Sequence, residues 1–142
     1  VIANGTDVTA DIRSAHVTNA VSTVAANSLV RSVMRDRQRT WSEVNNGGVV
    51  EGRDIGTVVF PDAILKVYLT ATPRVRAERR VAEAGGDIDE IEKSIAERDL
   101  KDSTRTDSPL RESEDSVVVD TSHRTIEEIV SNIVALVAER LT

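Results

Sequence analysis

Val49-Val50-Glu51-Gly52-Arg53-Asp54-Ile55-Gly56-Thr57-Val58-Val59-Phe60-Pro61-Asp62 is the stretch on which the fold turns. Two β-branched residues lead into Glu51-Gly52-Arg53-Asp54, which reads as a strand running into a glycine-framed turn that sets an arginine beside an aspartate. A second apolar run, Val58-Val59-Phe60, closes at Pro61-Asp62. Parallel strands of α/β proteins present ligand groups at their carboxyl ends. Arginine and aspartate placed there can divide the work of gripping an anion and accepting hydrogen bonds. The same residues also fit a surface turn holding its own ion pair, since exposed pairs are common and contribute little.

Downstream, Ile64-Leu65-Lys66-Val67-Tyr68-Leu69-Thr70 is the best strand in the chain, with the apolar density of a sheet covered on both faces. Thr72-Pro73 then predicts an N-cap and first helical residue, with the helix ending near Gly85-Gly86. Ile88, Ile91 and Ile95 predict a further helix over 87–98. Residues 98–111, RDLKDSTRTDSPLR, lack apolar periodicity and read as a mobile segment. A short buried strand is expected over 116–120, and Thr125 with Glu128 forms a capping box opening a last helix. That helix carries Ile126, Ile129, Val130, Ile133, Val137 and Leu141 as a continuous apolar face. Upstream, Asn4-Gly5 between apolar runs predicts a hairpin. Helices are expected over 14–27 and 28–41, followed by the turn cluster Asn45-Asn46-Gly47-Gly48. Strands alternating with helices make an α/β protein.

The chain of 142 residues, 39% hydrophobic and 30% charged, is long enough for one soluble globular domain. Its net charge of −6 disfavours nucleic acid. No apolar run reaches the roughly 20 residues of a membrane helix, and no signal peptide opens the chain, so a cytoplasmic location is expected. There is no cysteine, and His16 and His123 stand apart, which excludes disulfides and argues against a metal site. All but three of the 18 basic residues, Lys66, Lys93 and Lys101, are arginine. Arginine grips phosphate or carboxylate through two bonds, so local arginine clusters in an acidic chain suit a small anionic ligand. A codon bias toward arginine would give the same count.

Arginines recur in three places where ligands are held: Arg53-Asp54, the Arg79-Arg80 pair, and Arg98 with Asp102 and Arg105. Charge on a segment able to close over a site is how phosphoryl-transfer enzymes surround their substrate. The motif GxxxxGK[ST] is not in these 142 residues. Neither histidine accompanies a nucleophile signature, so Ser/His/Asp chemistry is not expected.

Four segments together resemble the bacterial cytidylate kinase, or (d)CMP kinase, family: EGRDIGTVVFPDA at 51–63, Ala77-Glu78-Arg79-Arg80, Glu97-Arg98-Asp99 through Asp102-Ser103-Thr104-Arg105 with Ser108-Pro109-Leu110, and Val118-Val119-Asp120-Thr121. The resemblance spans essentially the whole chain in the family's order. It implies a P-loop nucleoside monophosphate kinase-like fold, a parallel sheet flanked by helices, truncated at the N-terminus because the family's P-loop precedes this chain. Residues 1–45 would be part of the NMP-binding region with connecting helices. Residues 46–142 would be the C-terminal part of the α/β core, with 98–111 as lid.

The resemblance implies transfer of the γ-phosphoryl group of ATP, with Mg²⁺, to CMP or dCMP. Ser22, Arg31 and Asp54 match the positions that read the cytosine edge. Arg53 and Arg105 match arginines holding the CMP phosphate, and Asp102 the carboxylate that takes the ribose hydroxyls. Arg98 matches a lid arginine bridging donor and acceptor phosphates, which with Arg105 makes the expected catalytic pair. Arg79 and Arg80 lie where the family contacts ATP. Mg²⁺ is expected to be bound mainly by the P-loop, with no metal ligand on this chain, no nucleic-acid or membrane partner, and a monomeric full-length enzyme. Weak turnover is expected of the fragment alone; a non-catalytic cytidine-nucleotide-binding module is the alternative.

Overall fold

A computed structural model describes every residue except Arg105, and only the backbone of Ala15, Asn19 and Ser22. The chain divides into two compact units, Val1–Gly48 and Val49–Thr142.

In the first unit, β1 (Ile2–Ala3) pairs antiparallel with β2 (Thr6–Asp7), Ile2 opposite Asp7 and Ala3 opposite Thr6. Asn4 and Gly5 both take positive φ, 51° and 81°, the backbone that a two-residue hairpin with matched twist requires. After a 3-10 turn at Asp11–Arg13 come helix α1 (Ala15–Ala25) and helix α2 (Ser28–Val44). Asn27 separates them, and its side-chain oxygen accepts from the Leu29 and Val30 amides at 3.0 and 3.2 Å. It thereby satisfies two of the donors that a helix start leaves orphaned. The helix runs three residues past the expected end at Trp41.

The second unit is α/β with a small parallel sheet. Strand β3 (Val67–Thr70) pairs with β4 (Val117–Asp120), Val67 beside Val117 through Thr70 beside Asp120. Between them lie α3 (Pro73–Ala84) and α4 (Ile88–Thr104), which pack on each other, and α5 (Ile126–Leu141) follows β4. Thr72 caps α3 by accepting from the Val75 amide at 3.3 Å, with proline at the first helical position, as its sequence predicts. The capping box of α5 forms in both directions: the Thr125 hydroxyl accepts from the Glu128 amide, and the Glu128 carboxylate accepts from the Thr125 amide.

Three expectations are corrected, the first being the strand expected over 64–70, which pairs only from Val67 to Thr70. Residues 49–50 form no strand, and Ile55–Val59 wind instead into a π-helical turn in which the Asp54 carbonyl accepts from the Val58 and Val59 amides at 2.9 and 3.3 Å. A strand exists only through a ladder partner, and Val49, 97% exposed, leaves its backbone to water, whereas the π-turn pairs the backbone of the following residues internally. The helix expected to end near Arg98 continues through residue 104, so the first half of the segment read as mobile is ordered helix.

The carboxyl ends of β3 and β4 are tied together. The Thr121 amide and hydroxyl both donate to the Thr70 carbonyl, at 2.8 and 3.1 Å, and the Thr72 amide donates to the Ser122 hydroxyl at 3.3 Å. At the opposite end the Lys66 ammonium donates to both carboxylate oxygens of Asp115, at 2.9 and 2.8 Å, and to the Pro61 carbonyl. That bond holds the Asp115 carboxyl below the ordinary carboxylate value. Val59, Ala77 and Val119 are the buried apolar residues among those described. No helix among the described residues is long and apolar enough to cross a membrane.

Candidate functional site

The charged residues of the second unit gather where α4 meets the turn before the π-helix. Helix α4 sets Asp99 and Asp102 three residues apart, which places both on one face. They continue the stripe of Ile88, Ile91 and Ile95, and all five positions are half-buried. The acidic pair therefore occupies the inward-facing side of the helix, where apolar residues would otherwise sit.

Each carboxylate meets arginines. Asp99 Oδ2 accepts from Arg76 Nη2 on α3 at 2.5 Å, and its other oxygen lies 3.6 Å from Arg53 Nη1. Asp102 Oδ2 lies 3.3 Å from Arg53 Nε and 3.8 Å from Arg98 Nε. Arg76 is fixed further by its Nε, which donates to the Ala71 carbonyl just past β3 at 3.1 Å. The result is an alternating chain, Arg76, Asp99, Arg53, Asp102, Arg98. Three guanidinium groups and two carboxylates leave one positive charge.

Burial pushes the Asp99 carboxyl up, but the Arg76 hydrogen bond and the charges of Arg76 and Arg53 outweigh it and hold the group below the ordinary carboxylate value. Asp99 is thus ionised at neutral pH, fixing the arginines on either side of it. The arrangement suits an anion carrying several oxygens, because guanidinium groups form parallel, charge-assisted bonds to phosphate.

A family model described as cytidylate kinase matches residues 1–139. The chain belongs to the cytidylate kinase family. It is 46% identical to the cytidylate kinase of Streptomyces avermitilis over 139 residues, covering 96% of this chain and 60% of that protein. It is 47% identical to the cytidylate kinase of a Geobacillus species over 146 residues, covering 99% of this chain and 65% of that protein. A bifunctional pantoate ligase/cytidylate kinase of Prochlorococcus marinus is 47% identical over 139 residues, 94% of this chain and 27% of that longer protein. The chain spans 60% and 65% of the length of the first two curated relatives.

Among the residues predicted from sequence, Arg53, Arg98 and Asp102 come together in the ionic chain. Asp54 follows directly, half-buried, as the residue preceding the π-helical turn. Arg79 Nη1 donates to the Thr121 hydroxyl at 3.1 Å and Nη2 to the Thr121 carbonyl, so this guanidinium sits at the carboxyl end of β4. Arg80 is exposed. Arg31 belongs to the first unit, where its Nη1 donates to the Ala25 carbonyl at 3.3 Å and closes the last turn of α1. Ser22 lies within α1 in the same unit, and Arg105 lies outside the described residues.

The sequence reading missed Arg76 and Asp99. The available signal was spacing: Ile88, Ile91, Ile95, Asp99 and Asp102 keep helical periodicity once acidic residues are allowed on the inner face. Among the described residues, no group of three or more histidine or acidic side chains comes close enough to hold a metal ion.

Proposed function

We propose that this chain carries the acceptor part of a nucleoside monophosphate kinase of the P-loop type that moves the γ-phosphoryl group of ATP to CMP or dCMP. The observation that carries the reading is Arg53, set between two carboxylates of α4 with Arg98 on the second of them, in a chain that matches cytidylate kinases over nearly its whole length. An oxygen of the CMP phosphate attacks the γ-phosphorus, the bond to the β-phosphate oxygen breaks, and ADP leaves with that electron pair. Phosphoryl transfer of this kind depends on positioning and on neutralising charge over the moving group.

In this reading Arg53, together with Arg105, holds the acceptor phosphate. Arg98 lies on the exposed side of the same cluster and bridges toward the donor phosphates, and Asp102 takes the ribose hydroxyls. Arg79 and Arg80 serve ATP. The base-reading roles of Ser22, Arg31 and Asp54 rest on their match to the family's positions. An aspartate accepting from the exocyclic amine and an arginine donating to the ring carbonyl favour cytosine over uracil, whose pattern is reversed. Bound Mg²⁺ shields the phosphate charges of ATP; the triphosphate cradle, GxxxxGK[ST], is not among these 142 residues, and slow turnover is the expectation for them alone.

Calorimetric titration tests the reading. CMP should bind and UMP should bind at least about tenfold more weakly, a loss of one well-placed hydrogen-bonded group. Asp54→Ala should erase that preference, and Arg53→Ala should weaken both nucleotides. No heat with CMP, or equal affinity for CMP and UMP, would refute it. Rapid CDP formation from CMP, ATP and Mg²⁺ by these 142 residues would refute the expectation of slow turnover.

A further inference from the structure

The two arginines that share Asp99 are held very differently. Arg76 is locked: Nη2 reaches Asp99 at 2.5 Å and Nε reaches the Ala71 carbonyl at 3.1 Å, tying α3, α4 and the end of β3 into one unit. Arg53 is held loosely, 3.6 Å from Asp99 and 3.3 Å from Asp102, on a turn instead of a regular element. A short, two-sided grip makes a structural arginine. Longer contacts to two carboxylates orient a guanidinium without saturating it, since charge-assisted bonds reach full strength near 2.8 Å.

We infer that Asp99 is a positioning residue, braced by Arg76, that presents the Arg53 guanidinium to the phosphate of a nucleoside monophosphate. This rests on the reading of Arg53 as the acceptor-phosphate arginine. The carboxylate divides its work by oxygen: Oδ2 is fixed by Arg76, and Oδ1 thereby stands at a set place facing Arg53 Nη1. Asp102 fixes the Nε side of the same group. Two carboxylates three residues apart on one helix orient the arginine that an acceptor phosphate must meet, so part of the ordering of that side chain precedes the ligand. Preorganisation of this kind raises affinity by removing the entropy lost on binding. Arg53 keeps 36% of its side chain accessible, which leaves an incoming phosphate a route to it.

Asp99→Asn, Asp99→Glu and Arg76→Met are titrated beside the unaltered chain with CMP and with cytidine, each followed by NMR, which reads millimolar binding. Cytidine carries the base and sugar without the phosphate and serves as the control for an intact fold. Asp99→Asn should weaken CMP about tenfold, within the range for residues coupled through direct contact, and leave cytidine unchanged. Arg76→Met should shift CMP in the same sense without altering cytidine, and Asp99→Glu should recover part of the CMP affinity by restoring the charge. CMP affinity unmoved by Asp99→Asn, with CMP bound normally by the unaltered chain, would overturn the inference and leave the acceptor-site reading standing. Equal loss of CMP and cytidine would also overturn it, by making Asp99 a purely structural pin. Failure of the unaltered chain to bind CMP would remove the acceptor-site reading and the inference with it.

Discussion

Thr121→Val tests the tie between the strand ends and Arg79. Thr121 is 7% exposed, and its hydroxyl both donates to the Thr70 carbonyl at 3.1 Å and accepts from Arg79 Nη1 at 3.1 Å. Valine keeps the branched shape and removes both bonds. Neither partner is stranded, because the Thr70 carbonyl still receives the Thr121 amide and Arg79 still reaches the Thr121 carbonyl. The loss is therefore about 1 kcal/mol per bond, or about 2 kcal/mol together. The new methyl returns roughly 0.8 kcal/mol of burial, leaving a net destabilisation of about 1 kcal/mol, or a fall in Tm of about 4 °C at this chain length.

Calorimetric melting of Thr121→Val, Arg79→Met and the double variant measures the effect and apportions it. A coupling of about 1 kcal/mol between the two positions is expected, since they are in direct contact. Thr121→Ser, which keeps the hydroxyl and loses the methyl, should show that coupling undiminished. A Tm for Thr121→Val at or above that of the unaltered chain, or a double variant whose cost is the simple sum, would refute the assignment of the hydroxyl as the link between Arg79 and β3.

Gly85 sits at φ 72° and ψ −172° just past α3, a positive-φ extended backbone that essentially only glycine adopts, so Gly85→Ala should cost about 1–3 kcal/mol although a Cβ would meet open space, and Gly85→Asn should recover none of it, by urea unfolding. Ala77 is fully buried, so Ala77→Leu should destabilise by about 1–3 kcal/mol through overpacking, read by the same unfolding curves. The lowered Asp99 value makes its stabilisation present above the unfolded carboxylate value of about 4 and lost as pH falls through the folded value. Asp99→Asn should accordingly be less stable than the unaltered chain at pH 7 by about 1–2 kcal/mol, with the gap closing below about pH 4; a gap independent of pH would show that the charge is not what stabilises.

Much of the fold was legible because it rests on short-range chemistry. Asn4-Gly5, Thr72-Pro73 and Thr125 with Glu128 each fix local backbone geometry with a few residues, and each forms as its sequence indicates. The strand expected at 49–50 failed for the complementary reason. Val49-Val50 has the composition of a strand, but a strand exists only through a partner, and pairing partners are not encoded in the stretch itself. Lys66 illustrates the same limit: its near-complete burial depends on Asp115, 49 residues away.

The site was half legible, and the missing half follows from how an inner helix face is recognised. Apolar periodicity identifies a helix only where its buried side meets apolar neighbours. On α4 the buried side turns acidic at Asp99 and Asp102 because it meets Arg76 and Arg53, so the periodic signal stops at Ile95 while the helix continues to Thr104. The loss of apolar pattern that made this segment look mobile is therefore the mark of the charged cluster. An acidic pair spaced i, i+3 in phase with a preceding apolar stripe is a testable sequence sign of a half-buried arginine facing it: replacing both with leucine would extend the apolar stripe, deprive Arg53 and Arg76 of their carboxylates, and cost more than the sum of the two single changes if the two arginines share one rigid frame.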